Sequence, residues 1–303
     1  MYDLIIIGGD SAGLAAGIYA GRKKMKTLIL TEKLGGQSLF TDSIENYPGF
    51  LEISGIELVT KFKSQVDKFG AEFKDSEKVG SVSKEGNTFT VKTEKGDYNS
   101  KSIIIATGSQ WKRLGVIGEE KFISKGVSFC AICDAPFYSG KDVAVVGGGN
   151  SALDSAYDLL DYAKKIYILQ HREKFKGDKA MIDKLKESGK VEFLTSAKTK
   201  EIKGDKFVEG LVYEDLKTKE TKELKVGGVF VNIGQVPNSS FVKDLVDLNE
   251  RKEIIIDHKT NSTSLEGAFA AGDVSDVVFK QSIIASAEGV KSTLSAYEYL
   301  KNN

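Results

Sequence analysis

Sulfur and imidazole are scarce in this chain. Of 303 residues only two are cysteine, Cys130 and Cys133, and two are histidine, His171 and His258. That count excludes the disulfide framework of a small secreted fold. It also argues against structural zinc: a Cys-x-x-Cys pair needs two further ligands, and the two histidines lie far from it and from each other. In a reducing compartment the reading left for the pair is a redox dithiol. Net charge is absent as well, with 43 Lys and Arg against 43 Asp and Glu. No global field therefore draws the protein to nucleic acid or an anionic membrane, and partners must be read locally. No apolar run approaches the ~20 residues of a membrane span. The first strand follows Met1 almost at once and leaves no room for a signal peptide, so a cytoplasmic protein is expected.

Apolar residues make up 41% of the chain and charged residues 28%, enough to build a sizeable core, and the length predicts about two domains. The most informative feature is a repeat. Residues 3–30, DLIIIGGDSAGLAAGIYAGRKKMKTLIL, align without a gap on residues 142–169, DVAVVGGGNSALDSAYDLLDYAKKIYIL. Each copy reads as strand, glycine turn, helix and strand. Glycines in such a turn let the backbone pass close under a pyrophosphate, whose charge is met by the open N–H groups of the helix N-terminus. Each copy also has a later partner strand, IIIATG at 103–108 and VFVNIG at 229–234.

The expected fold class is α/β, with two Rossmann-like dinucleotide-binding domains of three-layer ββα form, the second inserted into a discontinuous first. The predicted boundaries are 1–112, 113–237 and 238–303. Between 51 and 102 a helical segment, SGIELVTKFKSQVDKFG, is followed by alternating strands that suit an antiparallel appendage. The segment KTKEIKGDKFVEGLVYEDLKTKETKELKV is strand-rich, EIIIDHKTNSTSLEGAFAAGDVSD predicts more strand and turn, and QSIIASAEGVKSTLSAYEYLKNN predicts a C-terminal helix. Short connections near Arg113 and Val236 are the natural hinges.

In the first glycine turn, GGDSAG, Gly8 and Gly13 keep the pattern, but Asp10 stands where glycine is usual. A carboxylate beside a pyrophosphate is unfavourable unless it points away or binds a ribose hydroxyl or a water. Glu32, nineteen residues after Gly13, suits the acid that holds a ribose hydroxyl, although Thr31 occupies an equally suitable strand end. In the second turn Gly147, Gly149 and Ala152 keep the pattern. The strand that follows ends in His171, Arg172, Lys174 and Lys176, which is cationic where an NAD site more often places an acid, so charge favours NADPH. Two cysteines one turn apart are the minimal machine for disulfide exchange, since one thiolate attacks and the other resolves the mixed disulfide. Exchange also moves protons, and Asp134 is the adjacent group able to carry them, unless it only caps a helix.

These segments together resemble the low-molecular-weight thioredoxin reductases almost end to end. The residues that carry the likeness are GGDSAGLAAGIYAGR, GGQ at 35–37, ENYPGF at 45–50, IIIATG, FCAICD at 129–134, VAVVGGGNSA, AFAAGDV at 268–274 and KQSIIASAEG. The resemblance implies FAD in the first domain and NADPH in the inserted one. It implies Gly36, Gln37, Asn46, Thr107, Gly108, Gly272 and Lys280 on the flavin side, Asp273 on a ribitol hydroxyl and Gln281 at the ring edge. Asn150 and Ser151 join the pyridine nucleotide site. It further implies that Cys133 faces the flavin, that Cys130 attacks the partner's disulfide, and that Asp134 protonates a departing thiolate. The partner implied is a thioredoxin-like or glutaredoxin-like protein, and the assembly a homodimer.

The family pattern of His-Arg-Arg with a later Arg is eroded here. Alignment through Phe175 keeps Arg172, places His171 on the other arginine and Lys176 on the last. Lysine offers a point charge but not arginine's fork, which leaves NADPH, NADH and ferredoxin open as donors. The tail and the CDAP segment also resemble the flavoprotein component of alkyl hydroperoxide reductase, whose additional N-terminal dithiol domain is expected to be missing because this chain starts at the FAD strand. A flavin-binding redox sensor is the reading from a different functional class.

Overall fold

The computed structural model describes residues 1–303. The chain folds as two compact units, one made of residues 1–110 and 236–303 and the other of 111–235, against the 113 and 237 expected from sequence. The first segment contains β1 (Tyr2–Ile7), α1 (Ser11–Arg22), β2 (Thr27–Leu30), α2 (Gly55–Phe69), β3 (Glu72–Lys74), β4 (Val79–Glu85), β5 (Thr88–Thr93) and β6 (Gly96–Ile105). The chain leaves through the short strand β7 (Ser109–Trp111).

The inserted unit runs β8 (Val127–Ser128), α3 (Ala131–Asp134), β9 (Asp142–Val146), α4 (Asn150–Leu159), β10 (Lys165–Gln170), α5 (Lys179–Glu187), β11 (Val191–Thr195), β12 (Ala197–Gly204), β13 (Val208–Asp215), β14 (Thr221–Lys225) and β15 (Gly228–Val231). It returns through β16 (Gln235–Pro237), and the first unit closes with β17 (Ala268–Ala270) and α6 (Ser282–Asn302).

The sequence repeat is a structural repeat. α1 begins at Ser11 and α4 at Asn150, the residues that the gapless alignment pairs. In the first unit β3, β2, β1, β6 and β17 form parallel pairs, and the antiparallel β5 and β4 extend the same sheet. β6 is long enough to use one edge twice, pairing with β5 near Ser100 and with β17 from Ile103 to Ile105. Because side chains alternate across a strand, Leu4 and Ile6 pack under α1, α2 and α6, whereas Ile5 and Ile7 pack on the opposite layer with Val82, Phe89 and Val91. That alternation buries both faces and fixes the register of β1.

α2 starts where the sequence signals it, with Ser54 and Glu57 forming a reciprocal capping box, and ends on left-handed Gly70. α6 crosses α1 so closely that a Cβ on Gly289 would lie 2.0 Å from Ala12 O, which restricts that helix position to glycine. The expected strand at EIII reduces to single bridges of Ile254 with Leu248 and with Ser275. Ile254 and Ile256 are buried while Ile255 is exposed, so the alternation is real, but it seats the segment in the core without a ladder partner.

In the inserted unit β11, β10, β9, β15 and β8 make a five-stranded parallel sheet. Its Val143, Val145 and Phe230 face α3, α4 and α5, while Ala144, Val146 and Val229 face the antiparallel layer of β12, β13 and β14. Each unit therefore presents its first glycine turn at the carboxyl end of a central parallel strand, where ligands of open α/β sheets bind.

Candidate functional site

The dithiol segment emerges from β8. Phe129 stacks on Trp111 with ring centroids 5.3 Å apart, and the Arg113 guanidinium lies 4.3 Å from the Phe129 centroid. This anchored aromatic fixes the start of the turn that follows. Cys130 caps α3, its Sγ accepting from Cys133 N at 3.3 Å, and the two cysteines are joined in a disulfide with Cα atoms 5.3 Å apart. Both are partly exposed.

Asp134 follows them at the end of α3. Burial raises its carboxyl above the usual range, and a hydrogen bond from Ser128 opposes the rise. Ser128 Oγ donates to Asp134 Oδ2 at 2.6 Å and accepts from Cys130 N at 3.1 Å. Tyr138 is pushed up by its own burial and by the Asp134 charge. The capping role considered for Asp134 is taken by Cys130 instead. Ser128 escapes a sequence reading because a lone serine at a strand end carries no signal until the turn folds back on it.

In the first unit the glycine turn is tightly constrained. Gly8 has φ +127°, a Cβ there would fall 2.0 Å from Ala106 O, and one on Gly13 would fall 2.0 Å from Gly8 O. Asp10 resolves its own anomaly by turning aside. It caps α1 by accepting from Ser11 N at 2.7 Å, and it accepts from Ser38 Oγ at 2.6 Å and Ser38 N at 3.3 Å. Burial raises its carboxyl, and those donors work against the rise. Of the first-turn amides it takes only Ser11, so the remaining N–H groups stay available to an anion.

The other residues expected on the flavin side lie near this turn or pair with one another. Gly36 and Gln37 lie on a 3-10 turn (Gly36–Phe40), and Gly36 abuts Asp10. Gln37 Nε2 donates to Ser109 O, while Gln37 Oε1 is a buried acceptor with no partner. Ser109 Oγ lies 3.5 Å from Asp273 Oδ2, and Lys280 Nζ donates to Asp273 O at 3.0 Å. Asp273 is raised by burial and by Asp10, with Lys280 opposing. Gly272 N donates to the buried Glu288, another residue that the motifs do not single out. Asn46 Nδ2 donates to Gln281 Oε1 at 3.2 Å. Thr107 is engaged structurally, exchanging hydrogen bonds with Asn238, and Gly108 O accepts from Asn238 N. Glu32 stands apart, exposed just beyond the end of β2 and 3.0 Å from Lys78 Nζ.

The second turn is built on the same plan but left more open. Gly147 has φ +153°, with Asn232 O 2.3 Å from its would-be Cβ, and Ala152 is fully buried against it. Gly149 caps α4 with no side-chain hydrogen bond and nothing within 4 Å of a Cβ. Asn150 Oδ1 accepts from Asp178 N at 2.8 Å, Ser151 is exposed, and Lys176 N donates to Gly148 O at 2.7 Å, which ties the basic loop to the turn. His171, Arg172 and Lys176 are exposed, and none makes an ion pair. The strand end itself carries neutral Gln170, buried beneath Gly148, whose Oε1 accepts from Arg172 N at 3.4 Å. No group of three or more His, Cys, Asp or Glu is placed to hold a metal ion, and no helix is long and apolar enough to cross a membrane.

A family model described as pyridine nucleotide-disulphide oxidoreductase matches residues 2–289. Among curated proteins the chain is similar to an alkyl hydroperoxide reductase subunit in Staphylococcus aureus strain MRSA252. The two are 39% identical over 303 residues, all of this chain and 60% of the relative. The chain thus spans about three-fifths of the curated relatives it matches. Among solved structures it is similar to the thioredoxin reductase of Streptococcus pyogenes MGAS5005, with 37% identity, a TM-score of 0.96 and coverage of 100% of this chain and 99% of that one. A thioredoxin reductase from Giardia duodenalis matches at 36% identity and TM-score 0.94, covering 99% of both chains.

Proposed function

The chain belongs to the pyridine nucleotide-disulphide oxidoreductase family, and from that premise we propose that it is a thioredoxin reductase acting on the disulfide of a small thioredoxin-like or glutaredoxin-like protein. The observation that carries this reading is the partly exposed Cys130–Cys133 disulfide at the short helix that ends in the half-buried acid Asp134. FAD and NADPH, when bound, supply the two electrons that open that disulfide to a dithiol. The residues present suit both groups. Gln37 Oε1 is a buried acceptor in need of an N–H or O–H, Asp273 is an acceptor for a sugar hydroxyl, and Gly8 and Gly13 shape a turn that admits no side chain. The uncapped N-terminus of α4 and the open space at Gly149 suit a nucleotide diphosphate.

From the dithiol onward the chain's own residues do the chemistry. The Cys130 thiolate attacks one sulfur of the partner's disulfide, forming a mixed disulfide and expelling the partner's other sulfur as a thiolate, which takes a proton. The Cys133 thiolate then attacks Cys130 Sγ, the Cys130–Cys133 bond re-forms, and the partner's second thiolate leaves and takes a proton. Two electrons and two protons have moved to the partner. Asp134 is the group positioned to deliver a proton, and burial keeps it protonated closer to neutral pH than an exposed aspartate. Because a raised carboxyl loses its proton as pH rises, Asp134→Asn is expected to lower protein-disulfide turnover about 100-fold at neutral pH and to remove the alkaline fall from the pH profile. A variant with wild-type rate and profile would exclude Asp134 as the acid.

For the donor, three exposed basic side chains without ion-pair partners and a neutral Gln170 in place of an acid support NADPH, with NADH the alternative. A charge-assisted contact to the 2′-phosphate predicts that Arg172→Ala raises KM for NADPH by about tenfold or more and leaves KM for NADH nearly unchanged. Equal effects on both would show that Arg172 does not read the phosphate. A homodimer and a cytoplasmic location belong to the same proposal.

A further inference from the structure

Asp134 has to exist in two protonation states in a half-buried place, and one neighbour is arranged to serve both. Ser128 is buried at the end of β8 and its hydroxyl has three partners. It accepts from Cys130 N at 3.1 Å, lies 2.6 Å from Asp134 Oδ2, and lies 3.4 Å from Cys130 O. A hydroxyl has one hydrogen and two lone pairs, and that inventory fits two complete arrangements. With Asp134 ionised, Ser128 donates to Oδ2. With Asp134 protonated, the carboxyl O–H donates to Ser128 Oγ and the serine hydrogen turns to Cys130 O. Cys130 N donates to Ser128 Oγ in both, so the dithiol backbone does not have to move.

We propose that Ser128 is a positioning residue of the exchange reaction, a hydroxyl rotor that holds Asp134 in either protonation state and ties that state to the Cys130 backbone. The proposal rests on the reading of Asp134 as the acid. When Asp134 gives its proton to the departing thiolate, the serine hydrogen swings from Cys130 O to the new carboxylate; when the carboxylate regains a proton, it swings back. No bond of Ser128 breaks and no further reactant is needed.

Other groups around Asp134 do not duplicate this role. From the turn after α3, Tyr138 feels the Asp134 charge and is itself buried, and Lys141 packs over the Tyr138 ring with its ammonium 5.4 Å from the centroid. α4 carries Asp154 and Asp158, while burial raises the Asp134 carboxyl and the Ser128 hydrogen bond opposes the rise. The two cysteines are joined to one another. Ser128 is thus the one side chain donating to the Asp134 carboxylate.

The test is the pH dependence of disulfide reduction by the holoenzyme with two small probes. Hydroxyethyl disulfide releases an alkyl thiolate that must be protonated, whereas 5,5′-dithiobis(2-nitrobenzoic acid) releases an aryl thiolate that leaves without a proton. Loss of the donor to the ionised carboxylate is expected to move the alkaline fall of the hydroxyethyl disulfide rate upward by about one pH unit in Ser128→Ala. Ser128→Thr keeps the hydroxyl and returns the fall to its wild-type position. The aryl disulfide rate stays close to wild type in both, a pattern that a merely loosened turn would not give. Should the alanine variant fail to take up flavin, Ser128→Gly carries the same expectation. An alkaline fall unmoved in the variant lacking the hydroxyl overturns the role of Ser128. If Asp134→Asn retains that fall, the acid assignment is lost, and the role of Ser128 with it.

Discussion

Cys130→Ser is expected to be reduced by NADPH at nearly the wild-type rate and to reduce protein disulfides at least about 1000-fold more slowly, because the sulfur proposed to attack is gone. Serine is the right probe here. Cys130 caps α3, with Sγ accepting from Cys133 N, and serine is among the favoured residues at that position. The turn therefore keeps its hydrogen bond, Cys133 keeps its place, and the defect is confined to chemistry. Anaerobic stopped-flow bleaching of the flavin reports the first half of the reaction, and steady-state reduction of an oxidised thioredoxin reports the second. Retained thioredoxin reduction would overturn the assignment of Cys130 as the attacking sulfur. The same instrument settles the donor, because bleaching of the wild-type protein by neither NADPH nor NADH would mean that the loop from His171 to Lys176 is not a working site and would turn attention to ferredoxin.

Much of this site is legible in the sequence because it depends on local geometry. A glycine turn between a strand and a helix is a contiguous feature, so Gly8, Gly13, Gly147 and Gly149 announce themselves, and so does a dithiol one helical turn wide. What could not be read depends on distant partners. Asp10 looks like a misplaced charge beside a phosphate until Ser38, 28 residues away, supplies a hydroxyl and an amide to hold it aside. Glu32 has the right spacing for a ribose, yet spacing does not say which way a strand end faces, and its carboxylate pairs with Lys78 on the surface. Thr107 is drawn to the flavin by its motif, whereas its hydroxyl is bonded to Asn238 O, 131 residues later. Gln170 is hidden by the more conspicuous basic run beside it. In each case the residue type is visible, but the partner is set by tertiary packing.

The two glycine turns predict opposite responses to one added methyl group. At Gly8 the backbone has φ +127°, which alanine adopts only with strain, and the new Cβ would lie 2.0 Å from Ala106 O and 2.5 Å from Ala106 C. The obstacle is main chain inside the central sheet, because Ala106 N is bonded to Ile7 O and cannot retreat without breaking the β1 and β6 pairing. Strain and overlap together are expected to cost about 3 kcal/mol or more, and relief by moving residues 106–108 would spoil the proposed flavin side of the site. Gly8→Ala should therefore purify flavin-depleted with a markedly lowered Tm. At Gly149 the backbone sits at φ −103° and ψ −175°, which alanine adopts freely, and nothing lies within 4 Å of the new Cβ. The fold should lose under about 1 kcal/mol, the difference between glycine and alanine at a helix cap, and flavin content should stay normal. What the methyl group does occupy is the space above the uncapped N-terminus of α4, so KM for pyridine nucleotide should rise by about tenfold, equivalent to about 1.4 kcal/mol. Thermal melts, flavin absorbance and nucleotide titrations on the two variants separate these outcomes. Normal nucleotide affinity in a folded Gly149→Ala protein would mean that the diphosphate does not run over this turn, and a stable, flavin-loaded Gly8→Ala protein would mean that the first turn is far softer than its contacts imply.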